Sequence, residues 1–170
     1  HLRKMGNIAL EIPPLRTSRD VSALWRGLKT DNINTIASDH APHSLEEKTP
    51  QSVWDVKPGI VGLETMLPLM LTEVNRSHLT LRQLVRMTCT NPSRIFGLKN
   101  RGTLDPGCFA DITVVDMKKK WTIDSSKFYS KAKFSPFDGW RVHGRPVKTF
   151  VNGQLVMDEG DIVAKPGTGR

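Results

Sequence analysis

Apolar side chains at Val21, Leu24, Trp25 and Leu28 recur at i, i+3, i+4 and i+7, and Thr17 with Asp20 supplies a capping box in front of them. That spacing predicts an amphipathic helix over 18–29. Asp31 and Asn32 then turn the chain into the run Ile33, Thr35, Ile36, Ala37, which predicts a short buried strand over 33–38. Helix followed by strand is the order of an alternating α/β protein. From Ile60 the positions 60, 63, 67, 70, 71 and 74 keep helical spacing, with Met66 and Leu69 widening the stripe, so this helix is expected to be well buried and kinked at Pro68. Thr80 caps the next helix, with Leu79 and Leu84 as a hydrophobic staple. Asn91, followed by Pro92 and by Gly97 near the end, caps a further short one. At Gly102 the period changes from helical to alternating. Strands are expected over 110–115, 121–123, 147–151 and 154–157, the last two joined by the hairpin signal Asn152-Gly153. Residues 124–146 show no clear period and read as an ordered connection, and the tail from Lys165 reads as frayed.

Chemistry enters at residues 38–43, which read SDHAPH. A carboxylate released at the carboxyl end of a strand, beside two histidines and a stiffening proline, is where a barrel enzyme places a base. Asp39 is the candidate. The bland alternative is a solvated turn, which aspartate also favours. The polar segment 44–58, with Glu46, Glu47, Lys48 and prolines at 50 and 58, has no visible structure of its own, and beside a catalytic strand end it reads as a lid. Pro58 and Gly59 bring backbone groups toward that pocket without a bulky side chain, and they fit a plain turn equally well. His78 reads as a surface residue and His143 as a structural one. Met66, Met70 and Met87 read as core filler.

With 38% hydrophobic and 25% charged residues among 170, the chain can hold a real core. Its formal net charge of +8 raises nucleic acid as a partner. The distribution argues against it. Lys118 to Lys120 form one short cluster and Lys127, Lys131 and Lys133 another, with no aromatic residues interleaved as a single-strand binder needs, so these charges read as a solvated face. Neither a signal peptide nor an apolar run of about 18 residues is visible. A chain without either, opening on His1, reads as a cytoplasmic piece of something longer, with no membrane partner. Cys89 and Cys108 are too few and too far apart for a disulfide framework, and read as buried thiols in a reducing compartment.

Taken together, SDHAPH, PGIVGLETMLPLML (58–71), NPSRIFGL (91–98), GTLDPGCFADITVVD (102–116), FSPFDGW (134–140) and VKTFVNGQLV (147–156) resemble the carboxyl-terminal part of class I dihydroorotases, of the amidohydrolase superfamily. The segments come in the family's order and cover nearly the whole chain. GTLxxGxxADxxxxD marks only the superfamily. DHAPH discriminates further, because hydantoinase and dihydropyrimidinase relatives do not usually carry the second histidine.

The resemblance implies an α/β chain. Residues 1–100 would be the end of a (β/α)8 TIM barrel, its last strand at 33–38 and closing helices at 60–98. Residues 101–170 would be the carboxyl-terminal strands of a small β-sandwich and a tail. It also implies reversible ring closure of N-carbamoyl-L-aspartate to L-dihydroorotate, in de novo pyrimidine synthesis, with two zinc ions in the intact parent. Asp39 would be a zinc ligand and the general base, His43 would bind the substrate carboxylate, and the backbone of Pro58 and Gly59 would bind the ring amide, while His40 orients the loop. The family's remaining ligands, an HxH pair, a carboxylated lysine and two histidines, belong to segments before Pro13. The chain alone is therefore expected to hold no zinc, to be inactive, and to associate through faces the missing strands would cover. Ile12 stands where relatives tend to carry asparagine, and isoleucine cannot hydrogen-bond a substrate. The alternatives are another cyclic amidohydrolase of hydantoinase or allantoinase type, and a non-catalytic dihydroorotase-like subunit. The small-molecule substrate is joined, as an expected partner, by a second copy of the chain or by aspartate transcarbamoylase.

Overall fold

A computed structural model describes residues 5–169. Helix α1 (Ser18–Lys29) forms as its spacing dictates: Thr17 Oγ1 accepts from the Asp20 amide, the Asp20 carboxylate accepts from the Thr17 amide at 3.0 Å, and Arg26 and Lys29 sit in the last turn. None of its residues is fully buried, and Leu24 is 58% exposed. Of its apolar stripe, Trp25 packs against the core cluster built on Leu71, Leu79 and Leu84.

The expected strand over 33–38 does not form a ladder. The segment is extended, with the Ile33 amide donating to Gly27 O, the Ile36 amide to Met87 O, and Asn91 Nδ2 to Asn34 O. A strand is defined by its neighbours, and among the described residues the parallel pairing here is a single bridge, His40 to Ile60. The segment 44–58 is also corrected. It contains a one-turn helix α2 (Leu45–Lys48), capped reciprocally by Ser44 and Glu47, and a 3-10 turn at Val53–Asp55.

Helix α3 (Met66–Asn75) starts later than its apolar stripe, because Gly62 O accepts from the Thr65 and Met66 amides and closes a turn first. Pro68 is thus the third residue of the helix, in the turn whose N–H groups need no intrahelical partner, and it causes no interior kink. Thr80 caps α4 (Leu81–Val85) through a box with Gln83. Asn91 caps nothing. The helix continues through a π turn at Arg86–Thr90 into α5 (Asn91–Ile95), and Asn91 keeps helical angles (φ −67, ψ −47). Pro92 has no N–H to give, and the backbone widens in the turn before it.

The sheet is an antiparallel meander of β1 (Ile112–Thr122), β2 (Arg141–Val151), β3 (Gln154–Asp158) and β4 (Asp161–Ile162). The two strands expected over 110–115 and 121–123 are one strand with a bulge, where the Asp116 carboxylate accepts from the Lys118 and Lys119 amides. The last six residues of the segment 124–146, expected as a connection, are the first half of β2. Asn152 and Gly153 make the expected hairpin turn, with φ of 51° and 80°.

Helix α3 lies on β2. Thr72 Oγ1 accepts from the His143 amide at 2.9 Å, and Asn75 Nδ2 donates to Met117 O and His143 O. Gly144 allows the approach, since a Cβ there would stand 2.7 Å from Leu71 Cβ. A second core cluster joins Val61 to Ile123, Phe128, Ala132 and Val142. Cys89 is exposed and Cys108 half-buried, against the expectation of buried thiols. Met87 is buried, and His78 is exposed and bonded to Glu73. Among the described residues no helix is long and apolar enough to cross a membrane.

Candidate active site

Two straps lie side by side, residues 38–43 and 57–63. The Ala41 amide donates to Ile60 O at 3.0 Å, and His40 Nδ1 accepts from the amides of Gly62 (3.1 Å) and Leu63 (3.2 Å). Accepting two bonds at Nδ1 leaves the His40 proton on Nε2, which makes His40 the pin between the straps. Asp39 precedes it in the left-handed region, φ 43°, with an exposed side chain that has no hydrogen bond or ion pair among the described residues. Aspartate is one of the few residues that tolerate this conformation.

His43 and Gly59 are in contact. A Cβ at Gly59 would lie 2.4 Å from Ala41 O and 2.9 Å from His43 Cδ2, and Gly59 has φ +148°. Its amide donates to Leu10 O, so neither that N–H nor the neighbouring proline, which lacks one, is a spare donor. His43 Nδ1 stands 3.3 Å from Glu47 Oε2, which also accepts from the Ser44 amide at 2.8 Å. The Ser44 amide, and after it His43, holds the Glu47 carboxyl below its ordinary value, and Thr17 does the same for Asp20. A carboxyl with a depressed folded pKa stabilises above its unfolded value, and that contribution is lost as pH falls through the folded one. Stability is therefore expected to drop below about pH 4. Asp20→Asn should lower it at pH 7 while flattening the acid slope, as read from urea unfolding at pH 7 and pH 3.

The sequence reading missed Lys48. Its side chain is wholly inaccessible, and Nζ donates to the carbonyls of Leu10, Lys57 and Gly59, each at 3.0 Å. Burial pushes its amine below the ordinary lysine range, with Glu11 opposing. The turn that presents it was legible as Ser44-Leu45-Glu46-Glu47, a capping-box signature. Its burial was not, because a lysine in a polar run reads as solvated.

Among the described residues no group of three or more His, Cys, Asp or Glu side chains is placed to hold a metal ion. Asp39 offers one carboxylate, and His40 Nδ1 is already engaged. These residues do not fit a two-metal centre by themselves. A cavity of about 430 Å³ between α3 and the sheet is lined by Asn75, Arg76, Lys120, Trp121, Arg141 and His143 among others, and none of its lining residues belongs to either strap.

The sequence model of the Amidohydrolase family matches residues 1–156. The chain belongs to this family. The dihydroorotase of Pyrococcus furiosus is 44% identical over 154 residues, covering 91% of this chain and 35% of that protein. The dihydroorotase of Acetivibrio thermocellus is 48% identical over 158 residues, covering 92% of this chain and 37% of that protein. Among solved structures, L-hydantoinase (dihydropyrimidinase) from Arthrobacter aurescens superposes with a TM-score of 0.95 at 38% identity, over 99% of this chain and 38% of that one. This amidohydrolase chain thus has the family's α/β fold and spans little more than a third of the length of these relatives. Dihydroorotases dominate the sequence relatives, and hydantoinases the structural ones.

Proposed function

We propose that this chain is the carboxyl-terminal portion of a dihydroorotase, acting in the cytoplasm on N-carbamoyl-L-aspartate and L-dihydroorotate. Residues 33–38 would be the last strand of its (β/α)8 barrel, residues 1–100 the end of the barrel, and 101–170 the carboxyl-terminal strands of a β-sandwich. The observation that carries the reading is the second histidine of DHAPH, His43, packed against Gly59 beside Asp39 and His40. The identities of 44% and 48% to dihydroorotases support it.

In the ring-opening direction, a water oxygen adds to the ring carbonyl carbon, the C–N bond breaks, and the nitrogen must leave carrying a proton. The exposed Asp39 carboxylate takes the proton from the water and returns it to that nitrogen. His43 faces the substrate carboxylate. At the strap, Pro58 can offer only its carbonyl to the ring amide, and Gly59 accepts there through an oxygen already bonded to Lys48. Two zinc ions in the whole protein belong to the same proposal, with Asp39 as one ligand and the rest on residues outside this chain.

The likeness to L-hydantoinase favours a second reading, a hydantoinase-type ring opening. Hydantoin is a five-membered ring without the carboxylate that the six-membered dihydroorotate ring carries, which makes His43 the discriminating residue. In the full-length protein, His43→Ala should raise KM for L-dihydroorotate by about 10- to 100-fold, the loss of a hydrogen bond to a charged group. It should leave hydantoin turnover unmoved. Steady-state assays on both substrates decide it: preference for hydantoin in the unmodified protein overturns the dihydroorotase reading, and turnover of neither would leave a non-catalytic subunit.

A further inference from the structure

Lys48 is a buried cation whose three N–H donors are all spent on backbone carbonyls, and those carbonyls come from two segments: Leu10 on one, and Lys57 and Gly59 on the strap 57–63. Among the described residues no carboxylate bonds to its Nζ, although burying an ammonium is costly without compensation. The bonds converge on the strap that faces His43. The Gly59 amide donates to Leu10 O, the oxygen that Lys48 also holds, and the Lys57 amide donates to Glu47 O one residue before Lys48. Glu47 in turn bonds His43. One side chain thereby fixes the distance between the 57–59 strap and the DHAPH loop from behind, without itself reaching the open face where Asp39 stands.

We infer that Lys48 is a positioning residue for substrate binding: it sets the strap at Pro58 and Gly59 against His43, and its loss loosens the grip on substrate while sparing the proton transfer at Asp39. The inference rests on the reading of this site as a cyclic-amide pocket. It goes beyond that reading by separating binding from chemistry within one loop. Methionine removes the ammonium and all three donors while keeping an unbranched apolar side chain, so the strap carbonyls lose their anchor, the strap recedes from His43, and the contacts that hold a bound substrate weaken. Losing a hydrogen bond to a charged substrate group weakens binding by about 10- to 100-fold.

The test is Lys48→Met in the full-length protein, with kcat and KM measured for L-dihydroorotate and for hydantoin, and amide exchange followed at Gly59 and, as a remote reference, at Gly153, whose amide bonds Ala110 O. KM is expected to rise about 10- to 100-fold with kcat within about threefold. Exchange at Gly59 should speed up while that at Gly153 stays put. An unchanged KM, or a kcat that falls as much as kcat/KM, overturns the inference, and so does unchanged exchange at Gly59. Should K48M not fold, Lys48→Arg carries the same comparison, since its planar fork keeps the charge but cannot aim three converging donors. Were the unmodified protein to turn over neither substrate, the functional reading would fall, and the exchange arm would still judge whether Lys48 holds the strap.

Discussion

Asp39→Asn in the full-length protein is expected to lower kcat by about 10²- to 10⁴-fold, the usual contribution of a positioned general acid or base. KM should stay within a few-fold, because the carboxylate is assigned to moving a proton and not to holding the ring. Asparagine is the informative replacement. At φ 43° an alanine would add backbone strain of about 1–2 kcal/mol to the loss of the carboxylate, whereas asparagine tolerates the left-handed region nearly as well as aspartate does. The side chain is exposed and carries no structural bond among the described residues, so with metal chelated away the thermal midpoint of the variant should match that of the unmodified protein. Steady-state kinetics alongside a melting curve separates the two effects. A near-normal kcat with an unchanged midpoint removes Asp39 from the chemistry. A lost kcat with a collapsed midpoint says that the residue is needed by the fold.

The parts of the molecule legible in the sequence are those decided by neighbours along the chain. Thr17 with Asp20 and Thr80 with Gln83 each close their own hydrogen bonds within four residues, the Asn152-Gly153 turn joins the neighbouring pair Val151 and Gln154, and all three stand where the pattern puts them. What the pattern misses depends on distant residues. The segment 33–38 has the composition of a buried strand, yet its amides find Gly27 and Met87 and not a neighbouring strand. Strand β2 hides its first half behind Gly144 and Pro146. The glycine yields to Leu71 of α3, and the proline pairs with Val115 beside a register shift, where the ladder is already irregular. Asn91 looks like a cap because Pro92 follows it, and the π turn before it keeps the helix running instead. At the site, the histidines and Asp39 were readable as chemistry-bearing residues. Lys48 was not, since its three acceptors are contributed by residues 10, 57 and 59 and none of them is visible from a polar run of LEEK.

The same tertiary dependence makes Gly59→Ala a disruptive methyl group to add at the site. A Cβ there would sit 2.4 Å from Ala41 O, 2.8 Å from Ala41 Cβ and 2.9 Å from His43 Cδ2, on a backbone at φ +148° that L side chains rarely adopt. Neither side can easily withdraw. The Ala41 amide is tied to Ile60 O, and Gly59 is tied through its amide to Leu10 and through its carbonyl to Lys48. Relief requires the strap or the DHAPH loop to move, and either motion parts His43 from Gly59. The expected cost is about 2–5 kcal/mol of stability from overpacking and backbone strain together, with a rise in substrate KM in whatever folds. Gly139→Ala is the control. Its φ of +74° carries a backbone penalty too, but nothing lies within 4 Å of its Cβ, so only strain of about 1–3 kcal/mol should appear and KM should not move. Urea midpoints and KM for the two variants measure the difference. Equal midpoints with unmoved KM for both would mean that residues 38–43 and 57–63 are not packed against one another in the working protein, and the site would have to be sought away from this pair of straps.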